Sequence, residues 1–351
     1  MSFAISRLRR VALGLGLALL ALGAAAEGSL GMSVLPGRDG NGPVTVFHPS
    51  SSAAAPVQRG PFTLEVAWQG VPKAGNRRLI VISHGSGGAP WPLADLARAF
   101  VDAGYTVALP EHRGDNYRDQ KLEGPETWKL RPGEVTAAID LLQADPRFGP
   151  LLQLDQVGVY GTSAGGLTAL TLAGAQWSPA RFQRHCRAHL REDFPACVGL
   201  IVTLRGTLFD DVKILGAGWV YRWLFRDETL QGHADPRIRA VIASVPMAAP
   251  IDPASLAHPR AAIGLVSAGQ DQWLQPRFHV EAVHAACPAC EMVAELPQAG
   301  HGSLFSPWPQ PLATSLSPML VDPPGFDRSS LPAVYARMVA FFQQHLAPAA
   351  R

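Results

Sequence analysis

The stretch Val157-Gly158-Val159-Tyr160-Gly161-Thr162-Ser163-Ala164-Gly165-Gly166 decides how this chain is read. Val157–Tyr160 is a short apolar run that suits a buried strand, and the residues from Ala164 to about Ala173 suit a helix. A serine between small residues at a strand-to-helix junction sits on a tight, strained turn. The turn lifts its hydroxyl above the sheet edge and places a helix N-terminus beneath it. The bare pattern G-x-S-x-G is common by chance, and a solvated serine in a glycine-rich turn is the plain alternative. The strand–turn–helix setting is what predicts a nucleophile at Ser163.

On either side of this junction, strand-like and helix-like segments alternate. Arg78–Ser83 (RLIVIS) is a continuous apolar run, as expected for a strand buried on both faces. Leu93, Leu96, Ala97, Phe100 and Val101 follow a helical period that Gly104 stops. Thr106–Pro110 is the next strand, and Val135, Ala138, Ile139 and Leu142 mark the next helix. Beyond Ser163, Ala240–Val245, Ala262–Ala268 and Glu291–Leu296 are strands. Arg277 to about Ala286 is helical, and Leu331, Val334, Tyr335, Met338, Val339 and Phe342 make a last amphipathic helix. Val44–Phe47 and Phe62–Trp68 are early antiparallel strands. The alternation predicts an α/β protein with a mostly parallel sheet covered on both faces. It breaks over residues 175 to 237, too long for a turn. That gap, with Trp219, Tyr221, Trp223 and Phe225, is read as an inserted lid; a plain structural excursion is the alternative. Trp219, Trp223 and Phe225 are the candidate contacts to an apolar substrate group.

A serine hydroxyl is a weak nucleophile, so it needs a base, and the base needs an orienting acid. Asp271 sits just past the strand Ala262–Ala268, in Gly269-Gln270-Asp271. His301 sits past the strand Glu291–Leu296, in Ala299-Gly300-His301-Gly302. Both lie at C-terminal strand ends, where open α/β sheets bind ligands, and the order Ser, acid, His suits a nucleophile on such an elbow. The Ala164 amide can face a developing oxyanion. A second donor is expected from the loop His84-Gly85-Ser86-Gly87-Gly88, assigned to the Ser86 amide with Gly87 as the neighbouring alternative. Such a donor is worth about 3–4 kcal/mol in the transition state. The side chains of His84 and Ser86 are read as shaping the loop.

At this point the chain resembles a family. Pro43–Pro49 (PVTVFHP), Ser83–Gly88 (SHGSGG) with Trp91-Pro92, Pro110–Asn116 (PEHRGDN), Val157–Gly166, Asp271 and His301 resemble the serine-nucleophile branch of the dienelactone-hydrolase-like proteins, which is similar to the platelet-activating-factor acetylhydrolases. The resemblance runs over roughly residues 43 to 346 and covers the lid poorly. It implies an α/β-hydrolase fold, hydrolysis of small-molecule monocarboxylic esters, no cofactor, and Ser163, Asp271 and His301 as the triad. One departure matters: dienelactone hydrolases proper use a cysteine nucleophile, so a lactone substrate is not implied. His112, in PEHRGDN, is expected to be a buried loop histidine paired with Asp115 or Glu111.

Composition bounds the rest. The 351 residues, 47% hydrophobic and 17% charged, describe a globular chain. Arg7, Arg9 and Arg10, the apolar run Val11–Leu22 and Ala24-Ala25-Ala26 form the pattern of a secretory signal peptide over residues 1–26. The hydrolase domain then spans 27–351. The apolar run is shorter than the ~20 residues a membrane span needs. No cysteine follows it to carry a lipid, so no stable membrane anchor is expected after cleavage. The expected location is periplasmic or extracellular. The signal holds three of the 30 basic residues and no acid, which leaves 27 against 28 and moves the net charge from +2 to −1. Nothing resembles a nucleic-acid footprint.

Four cysteines, Cys186, Cys197, Cys287 and Cys290, allow three pairings; in an oxidising compartment the local one, Cys186–Cys197 and Cys287–Cys290, is favoured. Cys287-Pro-Ala-Cys290 follows a helical pattern where a redox motif would start one, so it is read as structural. His185, Cys186 and His189 find no second ligand group at matching spacing, and no metal is expected. Rival readings are a perhydrolase, amidase or peptidase on the same triad, and a non-catalytic binding protein of the same fold.

Overall fold

The computed structural model describes residues 28–122, 124–199, 202–308 and 320–346; the segment read as a signal peptide lies outside them. The strands, in chain order, are β1 (Ser29–Leu35), β2 (Val44–Ser50), β3 (Ala55–Arg59), β4 (Phe62–Trp68), β5 (Leu79–Ser83), β6 (Thr106–Pro110), β7 (Val157–Thr162), β8 (Ile238–Ser244), β9 (Ala262–Ala268) and β10 (Glu291–Leu296). They form one sheet in the order β10-β9-β8-β7-β5-β6-β2-β1-β4-β3. From β10 to β6 every pairing is parallel, and β2 pairs antiparallel with both β6 and β1. The β5 and β7 runs, LIVIS and VGVYGT, are buried at every position, as their uninterrupted apolar character requires.

Helices cover both faces. On one side lie α1 (Ala94–Asp102) and α8 (Leu331–His345), whose Phe100, Met338 and Phe342 pack on the apolar face of the sheet. Phe100 meets Phe342 edge-on at 5.5 Å. Gly158 in β7 makes room for this layer, since a Cβ there would come within 2.8 Å of the Phe342 ring. On the other side lie α2 (Pro125–Ala144) and α3 (Ala164–Leu172), with Val135, Ile139, Leu142 and Leu170 in the second core. Full burial of each such side chain contributes about 1.5–3 kcal/mol. Gly104, at φ 90°, ends α1 as its position predicts.

Three elements go beyond the sequence reading. β1 and β3 were not anticipated; β3 carries Pro56 and lies at the sheet edge, where proline is tolerated. α2 begins ten residues before Val135, at Pro125 behind Gly124. Its first half buries Arg131 and Glu134, which mask the apolar period.

The break in the alternation holds α4 (Pro179–His189), α5 (Phe194–Val198) and α6 (Phe209–Val220). Fully buried Trp177 pairs through its backbone with Gln231 and Ile251, closing the base of this helical segment. Disulfide Cys186–Cys197 ties α4 to α5. Cys287–Cys290 closes the turn between α7 (Val280–Ala286) and β10, so the local pairing is the one found. Among the described residues no helix is long and apolar enough to cross a membrane.

Candidate active site

Ser163 stands between β7 and α3 at φ 57° and ψ −120°, a conformation that side-chain-bearing residues rarely adopt. Such a residue costs of order 1–3 kcal/mol and persists only where its surroundings hold it. Here the Ser163 N–H donates to Ser244 O at 3.1 Å, and its carbonyl accepts from Met247 N at 2.9 Å and Gly166 N at 2.8 Å. The flanking glycines are steric necessities. A Cβ on Gly161 would strike the Gly165 carbonyl, and one on Gly165 would strike that of Ser83.

His301 Nδ1 lies 2.7 Å from Asp271 Oδ2, and both residues are buried. The other carboxylate oxygen of Asp271 accepts the Trp273 and Leu274 amides at 2.8 and 2.9 Å. With both oxygens engaged, the acid is fixed, and Nδ1 carries the proton it donates. Nε2 is left as the basic nitrogen. Next to the base, Gly300 N donates to Ser303 Oγ at 2.9 Å, and that hydroxyl donates to Asp322 at 2.9 Å. Ser163, Ala164 and His301 line the same cavity; no hydrogen bond joins Ser163 Oγ to His301 in this state among the described residues.

The loop after β5 passes directly beside the serine: a Cβ on Gly85 would sit 3.2 Å from that of Ser163. The Gly87 amide donates to Asp115 Oδ1 at 2.8 Å, so it is not free for an oxyanion. The Ser86 and Ala164 amides have no such partner among the described residues. Asp115 also accepts the Ser86 hydroxyl at 3.1 Å and Arg131 at 2.6 Å, and Asp115 and Arg131 are both fully buried. Sequence reasoning missed Arg131, and a charged residue buried in the masked half of α2 gave little signal.

His112 departs from its expected partners. Its Nδ1 lies 2.6 Å from Glu134 Oε2 and its Nε2 2.8 Å from Ser83 Oγ, while Asp115 serves the loop and Glu111 pairs with Arg118. Burial, aided by the Arg131 charge, holds His112 well below the usual imidazole range, so it is neutral and structural. His84 is held low by burial, by His112 and by Arg131, and its Nδ1 donates to Gly85 O at 2.7 Å.

A second buried cluster lies beside the acid loop. Asp193 Oδ2 meets His185 Nε2 at 2.7 Å and His279 Nε2 at 3.0 Å, and Asp193 Oδ1 accepts the Gln275 amide at 3.3 Å. Burial alone would raise the Asp193 carboxyl, but the hydrogen bonds from His185 and His279 outweigh it and hold it well below the carboxylate range. His185, Asp193 and His279 are close enough to suggest a metal centre. The ring of His279 argues otherwise: its Nδ1 accepts the Ala248 amide at 3.0 Å, so Nε2 carries the proton given to Asp193 and has no lone pair for a cation. The cluster therefore ties the helical segment to the loop that carries Asp271.

The cavity above Ser163 has a volume of about 1560 Å³. Its walls are mostly apolar, with Trp91, Trp273, Met247, Tyr221, Leu224 and Phe225 among them. Phe225, one of the three candidate contacts, is among these lining residues. Trp219 and Trp223, the other two, are not: each is 64% exposed and outside the cavity lining. Both stand on the outward side of the α6 segment, and sequence alone does not say which face of a lid helix turns inward.

No family model matches the chain, and no curated protein matches it. Among solved structures it is similar to the ferulic acid esterase from Streptomyces cinnamoneus, at 16% identity over 93% of this chain and 92% of that one, with a TM-score of 0.57. At that identity the likeness speaks to architecture, and together with the ten-stranded, mostly parallel sheet it shows that this chain has the α/β-hydrolase fold.

Proposed function

We propose that this chain is an exported serine hydrolase that cleaves carboxylic esters bearing an apolar acyl or alcohol group. The observation that carries the reading is the buried 2.7 Å pair of His301 and Asp271 on the wall of the cavity that holds the strained Ser163. His301 Nε2 takes the proton of Ser163 Oγ as the oxygen attacks the ester carbonyl. The tetrahedral oxyanion accepts hydrogen bonds from the Ser86 and Ala164 amides, whose N–H groups have no other partner among the described residues. On collapse His301 gives the proton to the departing alcohol, leaving an acyl-serine. Water, deprotonated by His301, adds to that carbonyl; as the intermediate collapses, the bond to Ser163 Oγ breaks, His301 returns the proton to that oxygen, and the acid leaves. Asp271 holds the imidazole tautomer and stabilises its charged form throughout.

The large apolar cavity supports a substrate with a bulky apolar group, and the similar solved structure is named for an esterase. The closer placement beside the dienelactone-hydrolase-like proteins and the platelet-activating-factor acetylhydrolases rests on the motifs SHGSGG, PEHRGDN and the elbow. Export rests on the N-terminal pattern and agrees with the two disulfides. The helices of residues 175–237 act as the lid in this reading.

The test is hydrolysis of p-nitrophenyl acetate and butyrate by the chain lacking residues 1–26, beside Ser163→Ala. Turnover that disappears in the variant is the expected result. Turnover that survives removes Ser163 as nucleophile. If neither hydrolyses, labelling of Ser163 by a fluorophosphonate separates a narrow ester hydrolase, which labels, from a binding protein, which does not.

A further inference from the structure

α6 and its flanks expose an apolar stripe that the chemistry above does not use. Leu208, Phe209, Val212, Leu215, Trp219 and Trp223 recur at one-, three- and four-residue steps, and each is 64% exposed or more. The opposite side of α6 is already satisfied. Ile214 and Ala217 pack on the core, and buried Asp210 accepts the amides of Arg205, Gly206 and Thr207 and the Lys213 ammonium. The helix is therefore apolar on two sides, and among the described residues only one of them has a partner. A lone exposed leucine needs no explanation, but a contiguous stripe of this kind marks a surface that something else covers.

Charge selects the occupant. Arg205, Arg222 and Arg226 are exposed around the stripe and form no ion pair among the described residues. The nearby acids are paired with other cations: Asp210 with Lys213, Asp211 with Arg191, Asp227 with Lys129 and Glu228 with Arg184. A second copy packed on this face about a two-fold axis would set these three unpaired cations near one another, with the neighbouring carboxylates already engaged by other basic side chains. An anionic lipid surface would meet them with opposite charge. Tryptophans with neighbouring arginines suit the boundary between acyl chains and headgroups, and the Arg226 guanidinium lies 5.9 Å from the Trp223 ring.

We propose that this outer face of α6 seats the protein on an anionic membrane surface, with Leu215, Trp219 and Trp223 entering the apolar boundary and Arg222 and Arg226 meeting headgroups. The inference stands apart from the hydrolase reading. It also has a geometric consequence: Lys213, Ala217 and Val220 line the cavity from the adjoining side of the same helix, so a seated protein holds that cavity against the lipid.

The experiment is co-sedimentation of the full chain with vesicles of phosphatidylcholine, with and without phosphatidylglycerol. Wild type is compared with Leu215→Glu/Trp219→Glu and with Arg222→Gln/Arg226→Gln, none of which lines the cavity. Every protein carries the same N-terminal apolar run, so lipid binding by that run cancels in the comparison. Wild type is expected to prefer the anionic vesicles. The apolar double variant should lose that partitioning by about tenfold or more. The arginine variant should lose the anionic preference by about fivefold per cation. A thermal melt close to wild type shows that each variant folds, whether or not the chain hydrolyses esters. Equal vesicle binding by wild type and Leu215→Glu/Trp219→Glu would overturn the proposal. So would a wild-type dimer in sedimentation velocity that the same variant converts to monomer, because a second copy would then cover the face.

Discussion

Replacing Asp115 with Asn asks whether one buried charge holds the oxyanion loop. The carboxylate accepts the Gly87 amide at 2.8 Å, the Ser86 hydroxyl at 3.1 Å and the Arg131 guanidinium at 2.6 Å. Asn keeps the shape but turns one acceptor into a donor. Either Gly87 N–H or the Ser86–Arg131 side then meets an N–H instead of a lone pair. Arg131, fully buried, also loses its ion-pair partner and, among the described residues, keeps its bonds to the His84 and Gly85 carbonyls. Breaking a buried pair by removing one partner costs about 3–5 kcal/mol, and the retained hydrogen bond puts Asn near the lower end, about 3 kcal/mol. For catalysis, the loop that carries the Ser86 amide loses its anchor on the neighbouring residue. Loss of one oxyanion donor lowers kcat by about 10²–10³. KM should change little, because the donor acts on the oxyanion and not on the ground state. The assay is kcat and KM for p-nitrophenyl butyrate, read beside the urea midpoint. A variant that loses stability yet keeps kcat within about threefold would refute the argument, since the loop would then be held by something other than Asp115.

Asp271→Asn should leave the fold intact and lower kcat by about 10⁴, because the amide favours the wrong His301 tautomer; near-normal turnover would move the acid elsewhere. Removing the Cys186–Cys197 bridge by a double substitution to Ser should cost about 3 kcal/mol in non-reducing urea unfolding, given the sequence separation of 11, and an unchanged midpoint would contradict that. Asp193 should give the protein an acid-sensitive stability. Its folded-state pKa is depressed, so its contribution is present above about pH 4 and is lost as pH falls below that. Urea midpoints of wild type and Asp193→Asn should therefore converge as pH is lowered through that range, and parallel curves would show that the cluster does not act this way.

The parts of the site that were legible in sequence are those whose chemistry and position are both local. Ser163, Asp271 and His301 each follow a strand end, and β6, β9 and β10 end where their apolar runs end. The elbow glycines were readable for the same reason, since a tight turn forbids side chains within a few residues of Ser163. What sequence hid depends on contacts across the chain. Near neighbours suggested Asp115 or Glu111 for His112, yet packing of α2 beneath the loop brings Glu134, 22 residues on. Asp193 and His279 are 86 residues apart and meet only because the helical segment folds back on the acid loop. Trp219 and Trp223 carry an apolar signal that is real, but the docking of α6 decides which environment receives it.

The hidden contacts share a physical logic. Two loops of the candidate site are each held by a buried carboxylate from elsewhere: Asp115 under the Ser86 loop and Asp193 beside the Asp271 loop. Buried charges are a poor way to gain stability, because desolvation offsets most of their attraction. They are an effective way to fix position, because a carboxylate with each oxygen engaged permits little movement of its donors. The strained backbone at Ser163 needs such fixing, since a residue at φ 57° relaxes unless its neighbours are immobile. Ser244 and Met247 hold it from β8 and the residues after it, and Ala248, one residue further, donates to His279 and so joins that backbone to the Asp193 cluster. Serine, base-orienting acid and helical segment are thus coupled through one short stretch of chain, so a change at Asp193 should be felt at Ser163 although the two share no direct contact.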